Sequence, residues 1–491
     1  MLLCGIDVGT SSIKVSIVDA AKQTVLFSCS YPETENEIYS PQPGFAEQDP
    51  AHWWFCTQQA ILKGNASGAY NPLDIHAIGI SYQMHGLVVL DENLKVLRPS
   101  IIWCDSRAGS LGEKAALALG ETYCQTHLLN SPGNFTAAKL AWVKENQPDI
   151  FEKIKHVVLP GDYIGAQLTG NLTCTPSSLS EGIFWDFKQN RISTELLSYF
   201  GFSSDLFPTI QPVFSDHGQI LPEMAKSLGF NEYVKVTYKA GDQPNNALSL
   251  GVLEPGEIAT TAGTSGVVYG VSDELKFDQG NRVNSFAHVN YQESLRRIGV
   301  LMCINGTGIM NRWLKQNFLP NSSYQQMNEL ASQAEIGSKR LIVMPFGNGA
   351  ERIFQNRVIG ASFQQLDLNR HQSAEISRSV QEGIAFSLVY GIELLDKVGI
   401  TPQRLKAGLA NMYLSPVFSQ SIVNAAQIAV DLMESDGAMG AALGAGIGIG
   451  YFNSPKEAVA KLKIKRTIEP DVKYADETAE AYANWKNFLP A

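Results

Sequence analysis

Two carboxylates in this chain stand beside turns whose residue types suit phosphate. Asp7 ends an apolar strand just before Gly9-Thr10-Ser11-Ser12, and a second apolar strand carrying Lys14 follows. The same device returns at Ala262-Gly263-Thr264-Ser265-Gly266, again between apolar runs. Turns rich in glycine and hydroxyl residues aim backbone N–H groups and hydroxyls at one point, which cradles a phosphate without cationic side chains. Either turn alone would serve an ordinary hairpin, but two predict a clamp. Asp7 could also hold a Mg²⁺ ion directly or through water. Between the turns lies Ala240-Gly241-Asp242-Gln243-Pro244, a carboxylate after a strand with a proline fixing the next turn. Phosphoryl transfer needs its acceptor hydroxyl oriented and its proton taken, and an aspartate on rigid backbone can do both. Asp242 could instead cap a helix running on through Asn246. The combination predicts a phosphoryl-transfer enzyme.

The chain around these residues has to place them. At 491 residues it exceeds one core, and roughly two to four domains are expected. A net charge of −10 and the lack of any dense Lys/Arg cluster argue against a nucleic-acid partner. Seven cysteines without a Cys-x-x-Cys pair predict neither a disulfide framework nor a zinc knuckle. The N-terminus lacks a basic segment and Asp7 interrupts its apolar run, so it reads as a first strand and not a signal peptide, with a cytoplasmic protein expected. The uncharged stretch Gly437 to Pro455 is nearly long enough to span a bilayer, but its Gly/Ala composition predicts close helix packing instead of a membrane span.

Strand, turn and strand through Val18 are followed by a short strand near Val25 to Phe27. Asp49-Pro50 opens a helix to Lys63, and Ile75 to Ser81 reads as a buried strand. Gly86 to Leu90 reads as strand and turn, and Ala137 to Glu145 and Glu195 to Phe200 as helices. The pattern restarts with Ile258 to Thr261 and Val267 to Val271, and long helical stretches are expected over Ser373 to Val398 and Pro416 to Met433. This alternation is α/β, with the second half a divergent copy of the first and a boundary just after Asp242.

Several segments resemble the FGGY carbohydrate kinases in order and approximate spacing. They are Gly5 to Lys14, Ser81 to Gly86, Ile102 to Arg107, Pro160 to Tyr163 with Leu168 to Gly170, Ala240 to Asp242, Pro255 to Glu257 with Ala262 to Gly266, and Gly437 to Gly446. Gln83-Met84-His85-Gly86 and the Trp103-x-Asp105-x-Arg107 run are most similar to the branch acting on D-xylulose. The resemblance implies two actin-like, ribonuclease H-like lobes around a cleft, residues 1–243 holding mainly sugar and residues 244–491 mainly nucleotide. It makes Asp242 the catalytic base and a metal neighbour, and Asp7 the carboxylate near Mg²⁺. Thr10, Ser11, Ser12 and Lys14 match the first phosphate loop, and Gly263 and Thr264 the second. Met84, His85, Trp103, Asp242 and Asn246 become candidate sugar contacts. A polyol needs an apolar face for its C–H surface and dipoles for its hydroxyls, which these types supply. Arg107 is equally a structural partner of Asp105.

For the adenine wall the candidates are Gly408, Asn411 and Met412, with Gly306 to Trp313 nearby. Here the chain departs from the family's Gly-Gly-Gly-Ala run, and Gly360 to Gln364 departs from its Gly-x-Phe-x-Gly. The implied activity is ATP- and Mg²⁺-dependent phosphorylation of an open-chain ketopentose, D-xylulose at O5, by a homodimer whose partners are sugar and ATP alone. Rivals are a kinase of the same family for ribulose, fuculose, gluconate or glycerol, an actin-like ATPase module, and an idle sugar sensor.

Overall fold

The computed structural model describes residues 1–490. Strand Leu2–Val8 pairs antiparallel with Ile13–Asp19, which pairs antiparallel with Thr24–Tyr31. On its other side it runs parallel to Ile75–Tyr82, which is parallel to Lys235–Gly241, and Phe214–Gln219 closes this sheet antiparallel. The second sheet repeats that order. Ile258–Ala262 pairs antiparallel with Gly266–Ser272, which pairs with Ile298–Ile304. Its other neighbour, Leu405–Gly408, is parallel and is followed by parallel Val430–Met433 and antiparallel Ile464–Ile468. Asn284–Ala287 adds one edge strand beside Ile298–Ile304. The result is a duplicated α/β architecture of the actin and ribonuclease H type. In each half the Gly-Thr-Ser turn joins the first two strands, and the ends of the parallel strands open on the same side, where ligands bind in such sheets.

Gly437–Gly448 forms one helix, and it lies on the first sheet although the second half encodes it. Contact is close because both partners lack side chains there. A Cβ on Gly5 would overlap the carbonyl oxygen of Ala438, and one on Gly79 that of Ala441. Thr237 Oγ1 donates to the Ala445 carbonyl at 2.8 Å. Among the described residues no helix is long and apolar enough to cross a membrane.

Most elements fall where apolar patterning puts them. Asp49 accepts from Ala51 N at 2.9 Å and opens Pro50–Asn65, while Thr136–Asn146, Thr194–Phe200 and Ser373–Lys397 match the expected helices. The stretch Pro416 to Met433 does not form one helix. Pro416–Ala426 ends at Gln427, which takes a left-handed conformation, and Val430–Met433 is a buried strand. A β-branched and apolar tail competing for a place inside the sheet wins there over helix continuation. No disulfide forms among the described residues, and Cys4, Cys56, Cys124 and Cys174 are buried thiols.

Candidate active site

Asp7 lies at the end of its strand, in register with Ser81 of the parallel neighbour and with Lys14 of the antiparallel one. Its carboxylate occupies the space a Cβ on Gly437 would need, which puts it under the N-terminus of the Gly437–Gly448 helix. Burial pushes the Asp7 carboxyl above its ordinary range, the Ser81 hydrogen bond pulls it back, Asp436 pushes it up again and Lys14 lowers it. Lys14 is joined to Asp436 at 2.5 Å, and Asp436 caps the helix by accepting from Met439 N at 2.9 Å.

Asp242 opens the helix Asp242–Ser249 but does not cap it. Gly241 occupies the cap position, and no side-chain cap hydrogen bond is made. Burial first, and the charge of Asp7 second, push the Asp242 carboxyl up to about 7 against hydrogen bonds from Gln243. A carboxylate held near neutrality suits a general base. Asn246 follows one turn later, half-buried and on the Asp242 face. Its neighbour Asn245 turns away, donating to the Gly437 carbonyl at 2.8 Å.

The loop after Ile75–Tyr82 reaches the backbone just before Asp242, and the loop after Ser100–Ile101 reaches the Thr10 turn. Met84 is buried and lies against the Gly241 backbone. His85 turns the chain with φ of +63°, and its Nδ1 lies 2.9 Å from the Glu181 carbonyl. That bond assigns the proton to Nδ1 and leaves Nε2 a lone pair. Burial, with Lys139 adding to it, lowers the imidazole to about 3, so His85 is neutral. Its ring rests on Phe135 at 4.9 Å and on Phe286, from the second sheet, at 5.4 Å. Trp103 is 46% exposed and donates Nε1–H to Thr10 Oγ1 at 2.9 Å. Thr10 in turn donates to Gln83 Oε1 at 3.3 Å. Arg107 is the structural partner: it is buried, pairs with Asp105 and Glu47 at 2.7 Å each, and stacks on Phe45.

On the facing half, Gly263 and Thr264 stand at the turn between two strands, with Thr264 exposed. Their carbonyls accept from Gly308 N at 2.9 Å and Ile309 N at 3.1 Å. Exposed Asn411, with φ of +52°, lies beside Gly263, and Met412 lies beside Gly308. Gly408 ends its strand next to the Ser435 carbonyl. Gly306 sits a layer deeper: it is buried, packed on Pro345, and gives its N–H to Glu351 Oε1 at 2.8 Å. Gly308 has the position in contact with the turn. The two halves meet beside the sugar candidates, where Phe286 of the second sheet packs on the His85 ring at 5.4 Å.

Ser11 is exposed and Ser12 half-buried, with the Ser11 carbonyl accepting from Asn36 N at 2.7 Å. The candidates therefore form two groups: Asp7, the Thr10 turn, Met84, His85, Trp103, Asp242 and Asn246 on the first half, and Gly263, Thr264, Asn411 and Met412 on the second. No group of three or more His, Cys, Asp or Glu side chains forms a metal cage among the described residues. Hard oxygens from Asp7 and Asp242, with Asp436 adding negative charge, nevertheless fit Mg²⁺, which takes one or two carboxylates and fills its shell with water and substrate phosphate.

Residues that sequence reasoning passed over support the loops. Lys139, fully buried, donates to the carbonyls of His85 at 3.0 Å and Ile102 at 2.9 Å, tying both loops to one helix. Its signal was a lysine inside the apolar stretch Ala137 to Ala141. Glu181 accepts from Tyr82 Oη at 2.7 Å and had no local signal.

Residues 2–249 match the N-terminal domain model of the FGGY family of carbohydrate kinases. A xylulose kinase from Bacillus subtilis is 29% identical over 92% of this chain and 89% of its own length. One from Escherichia coli is 30% identical over 81% of this chain and 80% of its own. Among solved structures, a xyloylose kinase from Brucella ovis superposes with a TM-score of 0.89 at 27% identity, covering 100% of this chain and 99% of that one. A duplicated α/β architecture, together with a family match across half the chain, gives one conclusion: the chain belongs to the FGGY family of carbohydrate kinases.

Proposed function

We propose that this ATP-dependent sugar kinase phosphorylates D-xylulose at O5, with Asp242 as the base. The observation that carries the base assignment is the place of Asp242, at the start of its helix directly after Gly241, whose backbone lies against Met84, with burial raising its carboxyl to about 7. Asp242 orients the O5 hydroxyl and takes its proton as the O5–Pγ bond forms and the bond from Pγ to the ADP oxygen breaks. Neutral His85 accepts a sugar hydroxyl at Nε2, Met84 and Trp103 cover C–H surface, and Asn246 contributes a dipole. Thr10, Ser11, Ser12 and Lys14 grip the phosphates from one side, and Gly263 and Thr264 from the other. Gly408, Asn411 and Met412 form the adenine wall, with Gly306 supporting it from below. Asp7 and Asp242 would hold Mg²⁺, which would supply positive charge against the transferred group. Closure of lobes bounded near residue 243 excludes water and limits wasteful ATP hydrolysis.

Support for D-xylulose comes from the xylulose kinases that match most of the chain and from the Met84-His85 and Trp103 loops. A cytoplasmic homodimer is part of the same proposal. The test is ADP release with Mg·ATP across D-xylulose, D- and L-ribulose, L-fuculose, D-gluconate, glycerol and no sugar. Strong stimulation by D-xylulose is expected; stimulation by another sugar replaces the substrate, and sugar-independent hydrolysis throughout overturns the kinase mechanism proposed here.

A further inference from the structure

Glu181 is 1% exposed and lies beneath the candidate sugar site. Its Oε1 accepts from Tyr82 Oη at 2.7 Å, while its Oε2 is buried with no hydrogen-bond partner. The same residue's carbonyl receives Nδ1–H of His85 at 2.9 Å, and Oε2 lies 3.9 Å from that nitrogen. A Cβ on Gly241 would sit 3.1 Å from Oε2 and 2.7 Å from Met84 Cγ, so the carboxyl packs against the backbone step leading into Asp242. Glu181 thus touches Tyr82, His85 and the Gly241 backbone beside Met84, and reaches none of the solvent around them.

Its own support comes from the other lobe. Glu181 ends the helix Pro176–Glu181, whose Ser177 Oγ donates to the Ala287 carbonyl at 2.9 Å and whose Ser180 Oγ accepts from Ala287 N at 2.9 Å. Asn130 adds a reciprocal pair with Ser285, donating to its carbonyl at 2.7 Å and accepting from its N–H at 2.9 Å. These side chains take the place of a partner strand along the free edge of Asn284–Ala287, and Phe286 between them packs on His85. The helix bearing Glu181 is therefore hydrogen-bonded to the edge of the second sheet as well as to the loops it supports.

We propose that Glu181 is a positioning residue for the sugar site: it braces Tyr82, His85 and the Gly241 backbone beside Met84 from below and fixes His85 with its Nε2 lone pair toward the sugar. This rests on the sugar contacts proposed above for His85 and Met84. A carboxylate here would face Asp242 and Asp162 in a dry setting, and burial with those charges holds the Glu181 carboxyl far above its ordinary range. A neutral amide should then do the same work, whereas removal of the group should loosen the loop without reaching the nucleotide.

The experiment compares steady-state kinetics of Glu181→Gln, Glu181→Ala and Tyr82→Phe with D-xylulose and ATP varied separately. Expected are sugar KM values within about threefold of the parent for Glu181→Gln and raised about tenfold or more for Glu181→Ala, with ATP KM changed less than about twofold in both. Tyr82→Phe, which removes the hydrogen bond at nearly constant shape, should raise sugar KM about threefold to tenfold and carries the test if Glu181→Ala does not fold. Equal losses toward sugar and ATP, an unchanged sugar KM in Glu181→Ala or, where that variant does not fold, in Tyr82→Phe, or failure of Gln to restore it overturns the proposal. His85→Ala is measured alongside. A raised sugar KM there with no effect at Glu181 removes the bracing role alone, while no effect in either removes the sugar site itself.

Discussion

The indole N–H of Trp103 is bonded to the hydroxyl of Thr10 at 2.9 Å, which joins a sugar-loop candidate to the first phosphate turn. A side chain in that place can sense one substrate and position the other. Trp103→Phe keeps an apolar face but frees the Thr10 hydroxyl. We expect kcat to fall about tenfold with sugar KM within about threefold, because the lost bond orders the phosphate turn in the transition state. Steady-state kinetics decide; loss of sugar affinity alone would make the indole a sugar platform and nothing more.

Asp242→Asn should lower kcat by about a thousandfold or more while sugar binding, followed by calorimetry, stays within a few fold. Retention of most activity would remove Asp242 from the base role.

The same substitution should stabilise the protein. A carboxyl that titrates near 7 when folded and near 4 when unfolded keeps its proton longer in the native state, so native stability falls as pH rises through that window. Replacing Asp242 by Asn removes this cost, and a gain on the order of 1–3 kcal/mol is expected at pH 8, shrinking toward zero near pH 4. Urea unfolding at both pH values tests it, and a gain independent of pH would contradict the raised carboxyl.

Asp7→Ala removes a hard oxygen proposed to hold Mg²⁺ and should raise the Mg²⁺ concentration for half-maximal activity about tenfold, with a lower kcat. An unchanged Mg²⁺ titration would count against the metal role of Asp7.

Lys139→Met removes the charged donor shared by the carbonyls of His85 and Ile102, leaving them only Thr136 Oγ1 and Asp105 N, each at 3.2 Å. Destabilisation of about 2–4 kcal/mol is expected in chemical denaturation, together with a raised sugar KM in the folded fraction. Full stability would mean that the two loops are held by packing alone.

The parts of this molecule that could be read from the chain are those fixed by local pattern. Apolar runs on both sides of Gly-Thr-Ser turns specify strand–turn–strand units, and Asp49-Pro50 marks a helix start. The helix ending at Ala426 was illegible because Gln427, neither glycine nor proline, makes the break, and because Val430–Met433 gains its strand from partners distant in sequence. The candidates for substrate contact stood out through unusual residue types at turns. Lys139 and Glu181 act through bonds to residues 54 and 99 positions away, and no window of sequence contains both ends. Gly306 and Gly308 look alike in sequence, and only the carbonyl of Pro345 and the carboxylate of Glu351 make one of them a buried support.

The helix Gly437–Gly448 covers strands that begin at Leu2. A growing chain therefore presents the first sheet with one apolar face uncovered until residues 437–448 have left the ribosome, about two hundred residues after Lys235–Gly241, an interval of tens of seconds at ordinary rates of synthesis. The early half can form its strands in that time but cannot bury them. A nascent chain of this design is a natural client for a holding chaperone, and a fragment ending before residue 437 would carry a sticky sheet face in place of a finished lobe.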